Sequence, residues 1–309
     1  MKIVFMGTPD FAVPCLDEII KRNYEVLTVV TQPDRPKGRG KKLAAPPVKE
    51  TAILNNLPVI QPEKIRESQF VEQLRRLQPD CIVVVAFGQI LPKSILEIPP
   101  LGCINVHASL LPKYRGAAPV NWAIINGEKK TGVTTMYMDE GLDTGDMILK
   151  KEIDIGEMTA GELYEKMAIL GADLLGETLA LIEKGMVKRR PQTDAESSYA
   201  PIMDKNLGRI DWSKPAKDIY NLIRGVNPWP SAYTTYKGES FKIWKSTIVN
   251  QDCHDQAGKI MKVSKDGLLV CTGEKLLNIE IVQFLNSKRM TVDEYLRGHT
   301  IEENNILGE

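Results

Sequence analysis

The chain has 309 residues, 43% hydrophobic and 26% charged, enough for two globular domains and too large for a small module that needs disulfide or metal staples. Lys+Arg and Asp+Glu both number 40, so the formal net charge is zero and any nucleic-acid contact must come from a local basic patch. Five cysteines, odd in number and without a CxxC pair, argue for a reducing compartment and against a disulfide framework or zinc site. The opening MKIVFMG lacks signal-peptide anatomy, and the longest apolar run, about six residues, is far short of a membrane span. A cytoplasmic protein is expected.

Over roughly the first half of the chain, short apolar runs alternate with helical patterns. Strands are predicted at 3–6, 26–30, 81–86, 103–106 and 133–138, with helices near 10–22, 46–56, 67–77 and 118–126. The runs at 3–6, 81–86 and 103–106 are almost continuously apolar, as parallel strands covered on both faces require. This alternation implies an α/β fold with a doubly wound, mostly parallel sheet. A further strand follows at 149–155, and Thr159 with Glu162 forms a capping box for a long helix with Leu163, Met167, Leu170, Leu174 and Leu181 on its apolar face. Residues 185–205 lose periodicity and read as a linker. Beyond it, a helix near 215–224 and strands at 232–236, 242–249, 258–263, 268–271 and 276–283, separated by turn signals, suggest a small β-barrel. The expected domains are 1–184, a linker at 185–205, and 206–309.

The loop after the first strand, Gly7-Thr8-Pro9-Asp10, matches neither GxGxxG nor GxxxxGK[ST], which disfavours NAD and ATP. The informative stretch lies further on. Asn105 and His107 are two apart on a predicted buried strand, so both side chains point to one face. An unpaired amide or imidazole there costs about 1–3 kcal/mol, and two at the carboxyl end of a strand favour a ligand site over a core. The run Asp139-Glu140-Gly141-Leu142-Asp143-Thr144-Gly145-Asp146 is a tight acidic loop; an EF-hand fails because Lys150 stands where a bidentate Glu is required. Asp143 either pairs with His107 or belongs to a plain acidic turn; spacing leaves both open. Residues 31–43 set Arg35, Lys37, Arg39, Lys41 and Lys42 against Asp34 alone, either a solvated loop or a segment that orders around RNA phosphates. Trp212, Trp229 and Tyr233 in the basic C-terminal part are core residues or an RNA stacking platform. Asp252-Cys253-His254-Asp255 reads as a polar turn rather than a metal site, since no second ligand cluster exists.

Asn105-x-His107, Ser109-Leu110-Leu111-Pro112 with Arg115-Gly116, and Gly141-Leu142-Asp143-Thr144-Gly145-Asp146 together resemble the 10-formyltetrahydrofolate-dependent formyltransferases. The resemblance implies a Rossmann-like catalytic domain and an OB-like barrel, with Asn105, His107 and Asp143 catalytic. It implies 10-formyltetrahydrofolate as formyl donor, held by Ser109, Leu110, Leu111 and Pro112 with Phe87 and Ile90 as a pterin-side wall, and no metal. The opening Gly7–Phe11, the 31–43 loop and a C-terminal domain containing Arg209–Trp212 and Asn227–Pro230 point, by resemblance, to a methionyl initiator tRNA as acceptor. Arg35, Lys37, Arg39, Lys41, Lys42, Lys205 and Arg209 are then its candidate contacts, on a monomer that needs no membrane. A formyltransferase for a small amine and a non-catalytic RNA-binding protein are the competing readings.

Overall fold

The computed structural model describes residues 1–37 and 42–309, with Lys37 and Lys42 described in their backbone alone. The chain divides into two compact units, one from Met1–Pro119, Thr131–Ile153 and Tyr164–Ala200, the other from Val120–Lys130, Asp154–Leu163 and Pro201–Glu309. No helix of the described residues is long and apolar enough to cross a membrane.

In chain order the elements begin β1 (Lys2–Gly7), α1 (Val13–Lys21), β2 (Glu25–Val30), β3 (Arg35–Lys37), β4 (Lys42–Ala44), α2 (Pro47–Leu54), β5 (Val59–Ile60) and α3 (Ser68–Leu77). They continue with β6 (Cys81–Val85), α4 (Lys93–Leu96), β7 (Cys103–His107), β8 (Arg115–Gly116), α5 (Pro119–Ile125), β9 (Lys130–Tyr137), β10 (Met147–Asp154), α6 (Ala160–Glu183) and β11 (Tyr199–Ala200). Seven of these strands form one sheet in the order β10-β9-β7-β6-β1-β2-β5. The β5, β2, β1, β6 and β7 neighbours are parallel, and β9 runs antiparallel to β7. From central β1 the chain winds first toward β5 and then back across to β6 and β7. The carboxyl ends of β1 and β6, paired at Gly7 and Val85, therefore flank the crevice where such sheets bind ligands.

Every side chain of β6 (CIVVV) and β7 (CINVH) is buried, which explains their unbroken apolar character outside Asn105 and His107. On α3, Phe70, Val71 and Leu74 face the core while Glu72, Gln73, Arg75 and Arg76 face water, and the helix stops where Gln78 turns left-handed at φ +50°. The Thr159–Glu162 box is reciprocal: the Thr159 amide donates to Glu162 Oε2 at 2.8 Å, and the Glu162 amide to Thr159 Oγ1 at 3.3 Å. Gly7 is needed for close packing rather than for its backbone freedom, because a Cβ would stand 2.8 Å from Ala12 Cβ and 3.1 Å from the Val85 carbonyl.

Residues 185–200 are bound to the first unit. Arg190 and Met147 exchange backbone hydrogen bonds of 2.9 and 3.0 Å, and β11 pairs in parallel with β8. The hairpin β3–β4 and the short β5 and α4 carried too few residues for a period to emerge.

The second unit carries α7 (Ala216–Gly225), β12 (Ala232–Tyr236), β13 (Glu239–Val249), β14 (Ile260–Ser264), β15 (Gly267–Cys271), β16 (Leu276–Phe284), β17 (Met290–Thr291) and α8 (Val292–Leu296). Its antiparallel sheet runs β12-β13-β16-β15-β14, with β17 added to β16. Alternation puts Phe241, Ile243, Leu277 and Ile279 inside, and the register shift between β13 and β16 sets Val282 inside opposite Ile243. One expectation is corrected here: Cys253 and Cys271 are disulfide-bonded, Cα–Cα 5.7 Å, because the chain between them folds back onto β15. Cys15, Cys81 and Cys103 remain free, and burial pushes their thiols up, that of Cys103 to about 12.

Phe5 and Phe241 are among the largest fully buried side chains, one in each unit. Phe5→Ala and Phe241→Ala are each expected to cost about 3–5 kcal/mol in urea unfolding, and a loss below about 1 kcal/mol would contradict this burial.

Candidate active site

Asn105 and His107 project from the carboxyl end of β7, whose edges are taken by β6 and β9. His107 Nε2 lies 2.9 Å from the Tyr114 carbonyl oxygen, which can only accept, so Nε2 carries a proton and donates. His107 Nδ1 faces Asp143 Oδ2 at 3.5 Å, with both side chains largely buried. A ring protonated on both nitrogens satisfies both acceptors.

Asp143 is the meeting point. Its Oδ2 accepts the Gly116 amide at 2.8 Å, and its Oδ1 faces Asn105 Nδ2 at 3.4 Å. The residue sits at φ +55°, a left-handed backbone that costs a non-glycine residue about 1–2 kcal/mol. Neighbouring contacts hold the loop there: Asp139 Oδ1 accepts from the Gly141 amide at 3.0 Å and the Thr144 hydroxyl at 2.7 Å. At Gly145 a Cβ would stand 1.9 Å from the Tyr137 carbonyl, so only glycine lets the loop lie against β9. The open question of the sequence is thus answered geometrically: Asp143 faces His107.

The loop after β7 is fastened by Thr134, fully buried on β9, whose hydroxyl donates to the Ser109 carbonyl at 2.7 Å and accepts from the Leu111 amide at 3.1 Å. Ser109 spends its own hydroxyl on the Lys113 carbonyl at 2.6 Å, and Leu111 packs with Met136 and Met147. Leu110 and Pro112 are half-buried. Phe87 is 2% exposed inside the core cluster with Val4, Met6 and Val84, whereas Ile90 is 80% exposed. The Phe87 carbonyl accepts from the Thr8 hydroxyl at 2.9 Å, tying this loop to the one after β1. Lys93 and Glu140 bridge the Ile90 and Asp143 loops at 3.5 Å, and Leu142 on the latter is 49% exposed.

Of the basic candidates, Arg35, Lys205 and Arg209 are exposed. Lys37 and Lys42 pair across β3–β4, while Arg39 and Lys41 lie outside the described residues. The hairpin is tied at its base, where Asp34 accepts from Lys49 at 2.8 Å and from Gln61 at 2.8 Å. Trp212 is core, donating to Thr234 Oγ1 at 3.0 Å; Trp229 is 54% exposed and Tyr233 half-buried. Three features escaped sequence reasoning: the Tyr114 carbonyl, the Gly116 amide, and Arg289 stacked 3.5 Å over Trp244. The first two are backbone groups, invisible in residue types.

The family model "Formyl transferase" matches residues 1–179 and "Formyl transferase, C-terminal domain" residues 202–300. A methionyl-tRNA formyltransferase of Clostridioides difficile is 64% identical over 309 residues, covering all of both chains. One from Acetivibrio thermocellus is 56% identical over 311 residues, again covering all of both. Among solved structures, the sugar 3N-formyltransferase WlaRD, determined in the presence of dTDP and 5-N-formyl-THF, superposes with TM-score 0.70 at 24% identity, covering 93% of this chain and 99% of that one. That likeness concerns the fold.

Hydrogen bonds from Gln61, then Lys49, hold the Asp34 carboxyl below its ordinary range. A depressed folded-state value stabilises the protein above the ordinary carboxylate range and loses that effect as pH falls through the depressed value. The melting temperature of the parent should therefore exceed that of Asp34→Asn at neutral pH, with the gap closing on acidification. A gap independent of pH would contradict the assignment.

Proposed function

The chain belongs to the methionyl-tRNA formyltransferase family, and from that premise we propose that it moves the formyl group of 10-formyltetrahydrofolate onto the α-amino group of methionyl initiator tRNA. The observation that carries the reaction is the convergence of Asn105, His107 and Asp143 on one buried strand end and one glycine-flanked loop. The folate supplies an activated formyl carbon. Exposed aliphatic surface at Ile90 and Leu142, on loops joined by Lys93 and Glu140, fits the face of a flat ring system. Leu110 and Pro112, half-buried on the loop after β7, are further candidate contacts, while Ser109, Leu111 and Phe87 act from behind by shaping the wall.

Each polar group has a role that its partners leave open to it. Asn105 commits one amide hydrogen toward Asp143 and has a second to donate to negative charge developing on the formyl oxygen. His107 is anchored through Nε2, so the proton on Nδ1, held 3.5 Å from Asp143 Oδ2, is the one that stabilises the same charge and passes to the leaving nitrogen. Asp143 orients the ring, and its Oδ1, 3.4 Å from Asn105 Nδ2, accepts the proton that the attacking amine sheds, directly or through water. All of this proceeds on side chains already in place, with no covalent enzyme intermediate.

The acceptor is held by charge. Arg35, Lys37, Arg39, Lys41 and Lys42 gather phosphates at the acceptor end, and Lys205 and Arg209 in the second unit are further candidate phosphate contacts. Arg289 on Trp244 and the exposed Trp229 add planar surface for unpaired bases.

The test is transfer of a labelled formyl group from 10-formyltetrahydrofolate to methionyl initiator tRNA, glycinamide ribonucleotide and a sugar amine. Fast transfer to the charged tRNA alone is expected; transfer only to a small amine would overturn the acceptor. His107→Ala should lower kcat by about 100-fold or more at unchanged melting temperature, and near-parental turnover would remove His107 from the chemistry.

A further inference from the structure

Gln192 comes from the segment that carries no periodicity, yet three hydrogen bonds converge on its half-buried side-chain amide. Its Nε2 donates to the Asp143 carbonyl at 2.8 Å and to the Gly145 carbonyl at 2.9 Å. Its Oε1 accepts from Arg115 Nε at 3.0 Å. The amide has one workable orientation, since reversal would set its oxygen against two carbonyls and its NH2 against a guanidinium. Arg115, 11% exposed, is itself fixed by Asp194 at 2.9 Å. The backbone around Gln192 is held on both sides, by the Met147–Arg190 bridge before it and by the β8–β11 pairing after it.

These contacts meet on a residue with a left-handed backbone. Asp143 adopts φ +55°, and from there its carboxylate reaches the Gly116 amide and His107. Gly116 is also paired beside Ala200, so the same segment braces Asp143 twice: through Gln192 at its carbonyl and through Gly116 at its carboxylate.

We propose that Gln192 is a positioning residue for formyl transfer: its side-chain amide clamps the Asp143 and Gly145 carbonyls and keeps the Asp143 carboxylate aimed at His107. The inference rests on the reaction given under the proposed function. Gln192 touches neither substrate and acts through the loop alone, so its loss should appear in turnover and not in binding.

The test compares Gln192→Ala and Gln192→Glu with the parent in kcat, in KM for each substrate and in melting temperature. The Glu variant keeps the volume and an acceptor for Arg115, but replaces both donors with oxygen facing two carbonyls. Misplacement of the loop by a fraction of an ångström is expected to lower kcat roughly 10- to 100-fold in both variants, with each KM within about threefold of the parent. A Glu variant with kcat within about twofold of the parent would overturn the inference, because shape alone would then suffice. A raised KM at parental kcat would overturn it too, by making Gln192 a binding residue. If the Ala variant melts far below the parent, the Glu variant decides. A parent that forms no formylated methionyl-tRNA would instead defeat the functional reading itself.

Discussion

One carboxylate on a left-handed residue holds the candidate site together. Asp143 gathers a backbone amide from β8 and an imidazole and a side-chain amide from β7. Such a conformation persists only when its surroundings over-determine it. The surroundings are specific: glycine at 145 against the Tyr137 carbonyl, Asp139 closing the loop from inside, and the 185–200 segment bracing it from outside. The strain resides in the loop while the rigid parallel sheet beneath supplies Asn105 and His107 at fixed spacing.

The wiring of that sheet explains where the loop can be. The strand order reverses direction between β1 and β6, so the loops after β1, β6 and β7 open on one edge. Thr8 ties the first two together through the Phe87 carbonyl, and Thr134 pins the third to β9. Buried hydroxyls thus do locally what main-chain pairing does within the sheet: they satisfy loop carbonyls and amides that would otherwise be stranded away from water.

The legible part of the site was the part written in residue types. Two polar side chains on an otherwise apolar buried strand singled out Asn105 and His107, and the acidic glycine loop offered Asp143 with its pairing to His107 as one of two open readings. What stayed hidden depended on backbone groups or on three-dimensional proximity. The Tyr114 carbonyl and Gly116 amide have no signature, and Gln192 sits in a stretch that looks like tether because each of its fastenings is only one or two residues long. Phe87 and Ile90 were equivalent as apolar loop residues; the structure separates them, one in the core and one in solvent. The Cys253–Cys271 bond was missed because an 18-residue separation says nothing of which strands a loop returns to. The alternation of strands and helices, by contrast, conveyed the sheet well, since parallel strands buried on both faces cannot be written any other way.

The central claim, that the charge of Asp143 and not merely its shape sets up the site, is tested most directly by single-turnover formyl transfer with Asp143→Asn. An asparagine oxygen can still accept the Gly116 amide, so the loop is retained and only the charge beside His107 and the acceptor for the amine proton are lost. A fall in rate of about 100-fold or more, with folate binding little changed, is the predicted result. A rate close to that of the parent would contradict the account.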